Sequence, residues 1–257
     1  MTKLRILGSV SLVRADGSDI RRILTQPKLL ALLTYLAVAK PRGFHRRDTL
    51  LGLFWPDQDQ RRARASLRKA VHVLRRALGA EVVVARGDEE LGVAPEHFWC
   101  DAVAFELAAS SGSLGHALEL YAGDLLEGFF VAGAPEFERW HEGERARLRD
   151  CAAQQAWALA ERAAAEARPA DAARWARRAV GFTPDDETAL RDLVSLLYRV
   201  GDRASALRAY DAFASRLEQE FGTRPSALTR RLVEDVRLSK EIAVPRELGS
   251  RRSEAPG

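Results

Sequence analysis

Cysteine is nearly absent from this chain, with only Cys100 and Cys151 among 257 residues. Two thiols without metal-ligand spacing exclude a disulfide framework and a zinc site, and both read as core or near-core residues. No apolar run approaches the ~20 residues that span a bilayer. The opening segment MTKLRILGSV is short and polar, with Arg5 interrupting its apolar positions, so it is no signal peptide and a cytoplasmic protein is expected. Phosphate-binding G-x-x-x-x-G-K-[ST], H-E-x-x-H and C-x-x-C are all missing. The five histidines, at 45, 72, 97, 116 and 141, are scattered. His141 and Glu144 stand three apart on a helical stretch, a spacing that suits a metal. One such pair on a face expected to be exposed is more simply a pair of solvated polar residues. No Ser, Cys or Lys sits in a nucleophile setting. The expectation is therefore a protein without catalytic activity, cofactor or metal.

Charge is present in quantity but is unevenly placed. Residues 1–95 carry 18 Lys and Arg against 9 Asp and Glu, while the remainder carries 22 against 27. A net of +9 followed by −5 describes one half suited to a polyanion and one that is not.

The basic excess concentrates in QRRARASLRKAVHVLRRAL, Gln60 to Leu78. Leu67, Val71, Leu74 and Leu78 recur at helical spacing, and Ala63 extends their apolar stripe by one turn. At about 100° per residue, Arg61, Arg62, Ala65, Arg68, Lys69, His72 and Arg76 fall on the flank and back of that stripe. This face holds five fixed positive charges and no acid. A merely solvated face usually mixes signs. A helix that buries one side and presents guanidinium groups on the other fits a nucleic-acid groove.

The segments around it complete a module. Leu4–Leu7 and Val10–Val13, with a turn at Ala15-Asp16-Gly17-Ser18, predict a small antiparallel sheet. Pro27 opens a helix, KLLALLTYLAVAK, whose core face is Leu29, Leu32, Leu33 and Leu36. A second helix is expected from about Arg46 to Phe54, stopped by Trp55-Pro56-Asp57. After the basic helix, Glu81–Arg86 and Leu91–Val93 read as a hairpin around Gly87-Asp88. Three helices, the third basic, followed by a hairpin make a winged helix-turn-helix, with the third helix in the major groove and the hairpin as wing.

Beyond residue 100 the pattern is helical throughout. Helices are expected at Asp101–Ser110, Leu114–Ala122, Pro135–Ala167, Ala170–Val180, Glu187–Val200, Ala204–Phe221 and Ser226–Leu238, with breaks at Gly181, Pro184, Gly201, Gly222 and Pro225. A period of 34 relates Leu159 to Leu193, Ala163 to Leu197, Ala172 to Ala206, Ala176 to Tyr210 and Ala179 to Phe213. That is the signature of tetratricopeptide-like helix hairpins, which usually bind proteins or pack on a neighbour. The fold class is thus mainly α: an α+β winged helix at 1–95, an all-α tetratricopeptide-like domain at 96–238 and a disordered polar tail at 239–257.

Taken together, LRILG, KLLALLTYLA, HRRDTLLGLFWPD, ARASLRKAVHVLRRALG, ALELYAGDLLEGF, FERWHEGERARLRD and ALRAYDAFASRLEQEFGTRPSALTRRL resemble the SARP-type bacterial transcriptional regulators. Those proteins join an OmpR-like winged helix to a bacterial transcriptional activator domain. The resemblance covers roughly residues 4–238. It implies an activator that places two copies on promoter direct repeats, binds double-stranded DNA and contacts RNA polymerase; no membrane partner is expected, since no apolar run could span a bilayer. The chain departs from the pattern at Asp88, Glu89 and Glu90, which make the wing tip acidic and leave only Arg86 well placed there. A protein-interaction scaffold with non-specific nucleic-acid binding is the second reading, and a small-molecule sensor with a pocket in the helical half is the third.

The candidate DNA contacts are Arg61, Arg62, Arg68, Lys69, His72 and Arg76, with Arg46 and Arg47 at the start of the second helix and Arg86 on the wing. His72 fits a base contact or simple solvation equally well. Arg46 and Arg47 fit a phosphate held by helix N–H groups or, equally, solvation. Arg64 and Arg75 lie nearer the stripe and suggest a buried ion pair. Trp55 and Trp140 read as core, and residues 1–95 are expected to fold and bind DNA alone. Replacing Leu67 or Leu74 by Ala should cost roughly 2–5 kcal/mol of stability. Alanine at Arg62, Arg68 or Arg76 should leave the denaturation midpoint unchanged. The reverse pattern in urea melts would mean that the helix is rotated the other way.

Overall fold

Thr2 and Leu4 are buried while Lys3 and Arg5 are exposed, the period-two pattern of a half-buried strand, β1 (Thr2–Arg5). The computed structural model describes residues 1–14 and 16–239. β1 pairs antiparallel with β2 (Ser11–Val13), as the sequence predicts. The turn between β2 and the next helix is closed by Asp16, whose carboxylate accepts from the Ser18 N–H at 2.9 Å. Its expected first residue, Ala15, lies outside the described residues.

A short helix not foreseen, α1 (Arg21–Leu24), precedes α2 (Pro27–Val38), which opens on Pro27 as expected. Then come β3 (Phe44–Arg46) and α3 (Arg47–Phe54), so Arg46 is a strand residue and not the helix start assigned to it. α4 (Gln60–Leu78) spans the bounds read from sequence. The hairpin is β4 (Val83–Arg86) and β5 (Glu90–Val93). β3 joins it, giving the order β3-β5-β4. Gly92 is needed where β5 passes β3, because a Cβ there would lie 2.5 Å from the Gly43 carbonyl oxygen.

β6 (Phe98–Cys100) leads directly into α5 (Asp101–Ser110), followed by α6 (Leu114–Leu120) and the long α7 (Pro135–Ala165). β6 pairs in parallel with β1, completing a sheet of order β2-β1-β6. After it come α8 (Pro169–Phe182), α9 (Glu187–Arg199), α10 (Arg203–Phe221) and α11 (Ala227–Leu238). Gly181 lies inside α8 instead of ending it. A winged helix-turn-helix followed by tetratricopeptide-like helices is therefore the observed architecture. Of the tail expected from residue 239, all but Ser239 lies outside the described residues.

Two compact units divide the chain, Met1–Leu159 and Ala160–Gly257, with the division falling within α7. In the first unit, the winged helix is packed against residues beyond 95. Tyr35 of α2 meets Trp140 of α7 with ring centroids 4.7 Å apart, and Phe54 of α3 meets Phe137 at 5.2 Å. Glu106 of α5 accepts from Lys40 at 2.7 Å and from Arg147 at 2.6 Å, and is also paired with Arg42. His141 and Glu144, expected on an exposed face, are both buried. His141 Nε2 bonds the Leu125 carbonyl at 2.9 Å, and Glu144 pairs with Arg147. Burial pushes the His141 pKa down, and the bond to the Leu125 carbonyl opposes that shift. Cys100 is buried and Cys151 half-buried, both as free thiols, and burial pushes Cys100 up to about 12.

In the second unit, short side chains let helices approach closely. Ala172, Ala173, Ala176 and Ala179 are buried on α8, which packs on α9, where Leu190, Leu193 and Leu197 are buried. Asp186, Asp202 and Ser226 cap α9, α10 and α11 by accepting from main-chain N–H groups. Gly222, at φ +62°, ends α10 in the left-handed conformation. Glu187 Oε1 accepts from the Ser226 N–H at 2.8 Å, tying the starts of α9 and α11 together.

Asp101 anchors the first unit. Its carboxylate, 3% exposed, accepts from the N–H groups of Ile6 at 3.0 Å, Leu7 at 3.1 Å and Ala102 at 2.8 Å. Burial pushes its pKa up, and these three donors oppose that shift. Removing the carboxylate strands buried donors, each costing about 1–3 kcal/mol. Asp101→Ala should therefore lower the unfolding free energy by on the order of 3 kcal/mol in urea titration. A loss below about 1 kcal/mol would show that water replaces the carboxylate.

Candidate nucleic-acid interface

α4 is oriented by what it buries. Ala63, Leu67, Ala70, Val71, Leu74 and Leu78 are all buried. Asp59 starts the helix by accepting from the Arg62 N–H at 3.0 Å. Gly79, at φ +111°, stops it. With the stripe inward, Arg61, Arg62, Arg68, Lys69, His72 and Arg76 are all exposed. Arg62 is paired with Asp59 at 3.3 Å, an exposed contact of little energy. Among the described residues, no carboxylate pairs with Arg61, Arg68, Lys69 or Arg76.

The two arginines nearer the stripe differ from expectation. Arg64 is exposed and its ion pair, to Asp48 at 3.6 Å, is exposed as well, because the side chain leans over α3 and not into the core. Arg75 makes no ion pair among the described residues. Its Nε donates to the Val83 carbonyl at 2.8 Å, linking α4 to the wing strand β4.

The wing flank is nearly neutral. Arg86 is hydrogen-bonded to Glu90 and lies over the Phe44 ring at 4.7 Å. The Arg86 bond holds the Glu90 carboxyl below the usual carboxylate range, with Arg46 adding a smaller pull. Arg46, exposed on β3, is registered opposite Glu90. The Arg47 N–H donates to the Glu89 carbonyl at 2.8 Å, and its buried Nε has no hydrogen-bond partner. Burial lowers the Arg47 pKa, aided by Arg75 and opposed by Asp88 and Glu89. The structure thus brings Arg47, Arg64 and Arg68 together around a recess of about 320 Å³, with Asp48, Asp88 and Glu89 on the same wall.

On the other flank, α4 faces residues that pattern reading missed. Arg14, Arg21 and Arg22 line a recess of about 510 Å³ with Lys69, His72 and Arg76. Arg14 donates to the Ala77 carbonyl from Nε at 3.3 Å and Nη2 at 3.0 Å, and from Nη1 to Ser18 Oγ at 3.3 Å. The available signal was the Arg21-Arg22 pair, but four residues of helix carry no period. Trp55 is buried, the core role favoured for it. Trp140 is half-buried against Tyr35 and Phe137. Among the described residues no cluster could hold a metal, and no helix is long and apolar enough to cross a membrane.

Residues 101–237, more than half of the chain, match the bacterial transcriptional activator domain family, and the chain belongs to that family. The resemblance to SARP-type regulators drawn from the sequence names this same domain. Among solved structures, the fold is similar to Mycobacterium tuberculosis EmbR in complex with a low affinity phosphopeptide, with a TM-score of 0.61 and 21% identity. That match covers 91% of this chain and 64% of the EmbR chain, so the chain spans less than two thirds of that protein's length. No curated protein matches the chain.

Proposed function

We propose that the protein is a sequence-specific DNA-binding activator, with α4 as recognition helix in the major groove. The observation that carries this is the single exposed face of α4, where Arg61, Arg68, Lys69 and Arg76 stand without carboxylate partners. Guanidinium groups so placed can take phosphates and the guanine edge. Arg62 joins them by exchanging Asp59 for a phosphate, and His72 lies within the same row. Arg46 and Arg47 serve the phosphate beside α3, while Arg86 stays paired with Glu90 and takes no phosphate. Residues 1–95 supply the DNA-binding surface and residues 96–238 the activating one. Two copies on promoter direct repeats recruit RNA polymerase, and the protein acts in the cytoplasm, without cofactor or catalysis. Its net-negative second half gains nothing from phosphate neutralisation, and stacked hairpins suit a protein partner.

With ~6 phosphate contacts, the log of the binding constant should fall against log salt with a slope of about −5. Titrations on a duplex selected from a random pool by the full chain should show that slope together with a preference over unselected duplex. A run-off assay at saturating occupancy should show full-length protein stimulating purified RNA polymerase. Binding without sequence preference would favour the scaffold reading. Specific binding without stimulation would remove the activator role.

A further inference from the structure

The major groove that accepts a helix is about 12 Å wide and walled by a phosphate strand on each side. A recognition helix therefore has two flanks, each next to a backbone. In a winged helix the hairpin normally serves one of them.

Here the flanks of α4 are electrostatically unequal. On the wing side, the recess holds three cations, Arg47, Arg64 and Arg68, against three acids, Asp48, Asp88 and Glu89. The wing's own Arg86 is taken by Glu90. On the opposite side, Arg14, Arg21, Arg22, Lys69 and Arg76 stand around one acid, Asp19. Asp19 pairs with Arg21 at 3.9 Å with both side chains well exposed, so it neutralises little. Arg22 has no carboxylate partner among the described residues. Arg14 is spent on the last turn of α4 through the Ala77 carbonyl, which fixes the distance between the β2–α1 segment and the helix. Arg21 and Arg22 are thereby held as a pair alongside Lys69 and Arg76, with a recess of about 510 Å³ between them.

We infer that Arg21 and Arg22 of α1 grip the DNA backbone on the side of α4 away from the wing, and that this grip replaces the phosphate contact an acidic wing cannot make. The inference rests on the reading of α4 as recognition helix. Arg14 is a positioning residue in this arrangement. Contacts of this kind carry no sequence information, so their loss weakens binding to all duplexes alike.

The test is the salt dependence of binding of the full chain to a random-sequence duplex. Each lost phosphate contact makes the slope shallower by about 0.9. Arg21→Ala with Arg22→Ala should make it shallower by about two units, with an unchanged thermal midpoint. Arg21→Lys with Arg22→Lys should keep the slope, and Arg86→Ala should leave it unaltered. An unchanged slope in the double alanine variant, with a shallower one in Arg68→Ala, would overturn the α1 grip and leave the recognition helix standing. A shallower slope in Arg86→Ala would restore the wing as the clamp and overturn the inference. No change in any of these variants would remove both the grip and the α4 reading.

Discussion

Six buried apolar residues along one side of α4 determine which way its cations face. Ala63, Leu67, Ala70, Val71, Leu74 and Leu78 occupy the core, and rotating the helix to hide any arginine would expose a leucine. Burial of a leucine side chain contributes about 1.5–3 kcal/mol, whereas burying an unpaired guanidinium costs several. The exposure of the basic row is therefore a consequence of core packing and needs no interaction of its own. The Asp59 cap then fixes the start of the helix, and the Arg14 and Arg75 side chains tie its last turns to the segment after β2 and to β4.

The same unit shows how the module is anchored. β6, Asp101 and the Tyr35–Trp140 and Phe54–Phe137 ring pairs connect the winged helix to α5 and α7. A buried carboxylate accepting three main-chain N–H groups is costly to lose, so Asp101 couples the start of α5 to the end of β1. The basic surface and the first helices of the family domain thus share one compact unit, Met1–Leu159.

Much of this was legible in the sequence where information is local. α4 follows from its 3.6-residue apolar stripe, and the helices after residue 100 follow from helical patterning between Gly and Pro breaks. What was not legible is non-local or too short. β6 is three residues whose partner lies some 95 positions earlier in the chain, a pairing no period announces. α1 has four residues, less than the span over which a face can be recognised. Arg46 reads as a helix start, and only the pairing of β3 with β5 makes it a strand residue. His141 and Glu144 read as solvated because the groups over them, the Leu125 carbonyl and the Glu106 carboxylate that shares Arg147 with Glu144, come from distant parts of the chain. At the candidate site, the row on α4 was visible as a pattern. The α1 arginines were invisible because their place beside it depends on the Arg14 side chain holding the segment after β2 to the end of α4.

Entry of α4 into the major groove can be read directly from the DNA. Dimethyl sulfate methylates guanine N7 in the major groove and adenine N3 in the minor groove, so one footprint distinguishes the two. On a duplex selected by the full chain, protection of guanine N7 within the bound half-sites is the expected result, and it should disappear in Arg68→Ala with Arg76→Ala. Protection confined to adenine N3, or none on a duplex that is demonstrably bound, would contradict the placement of α4.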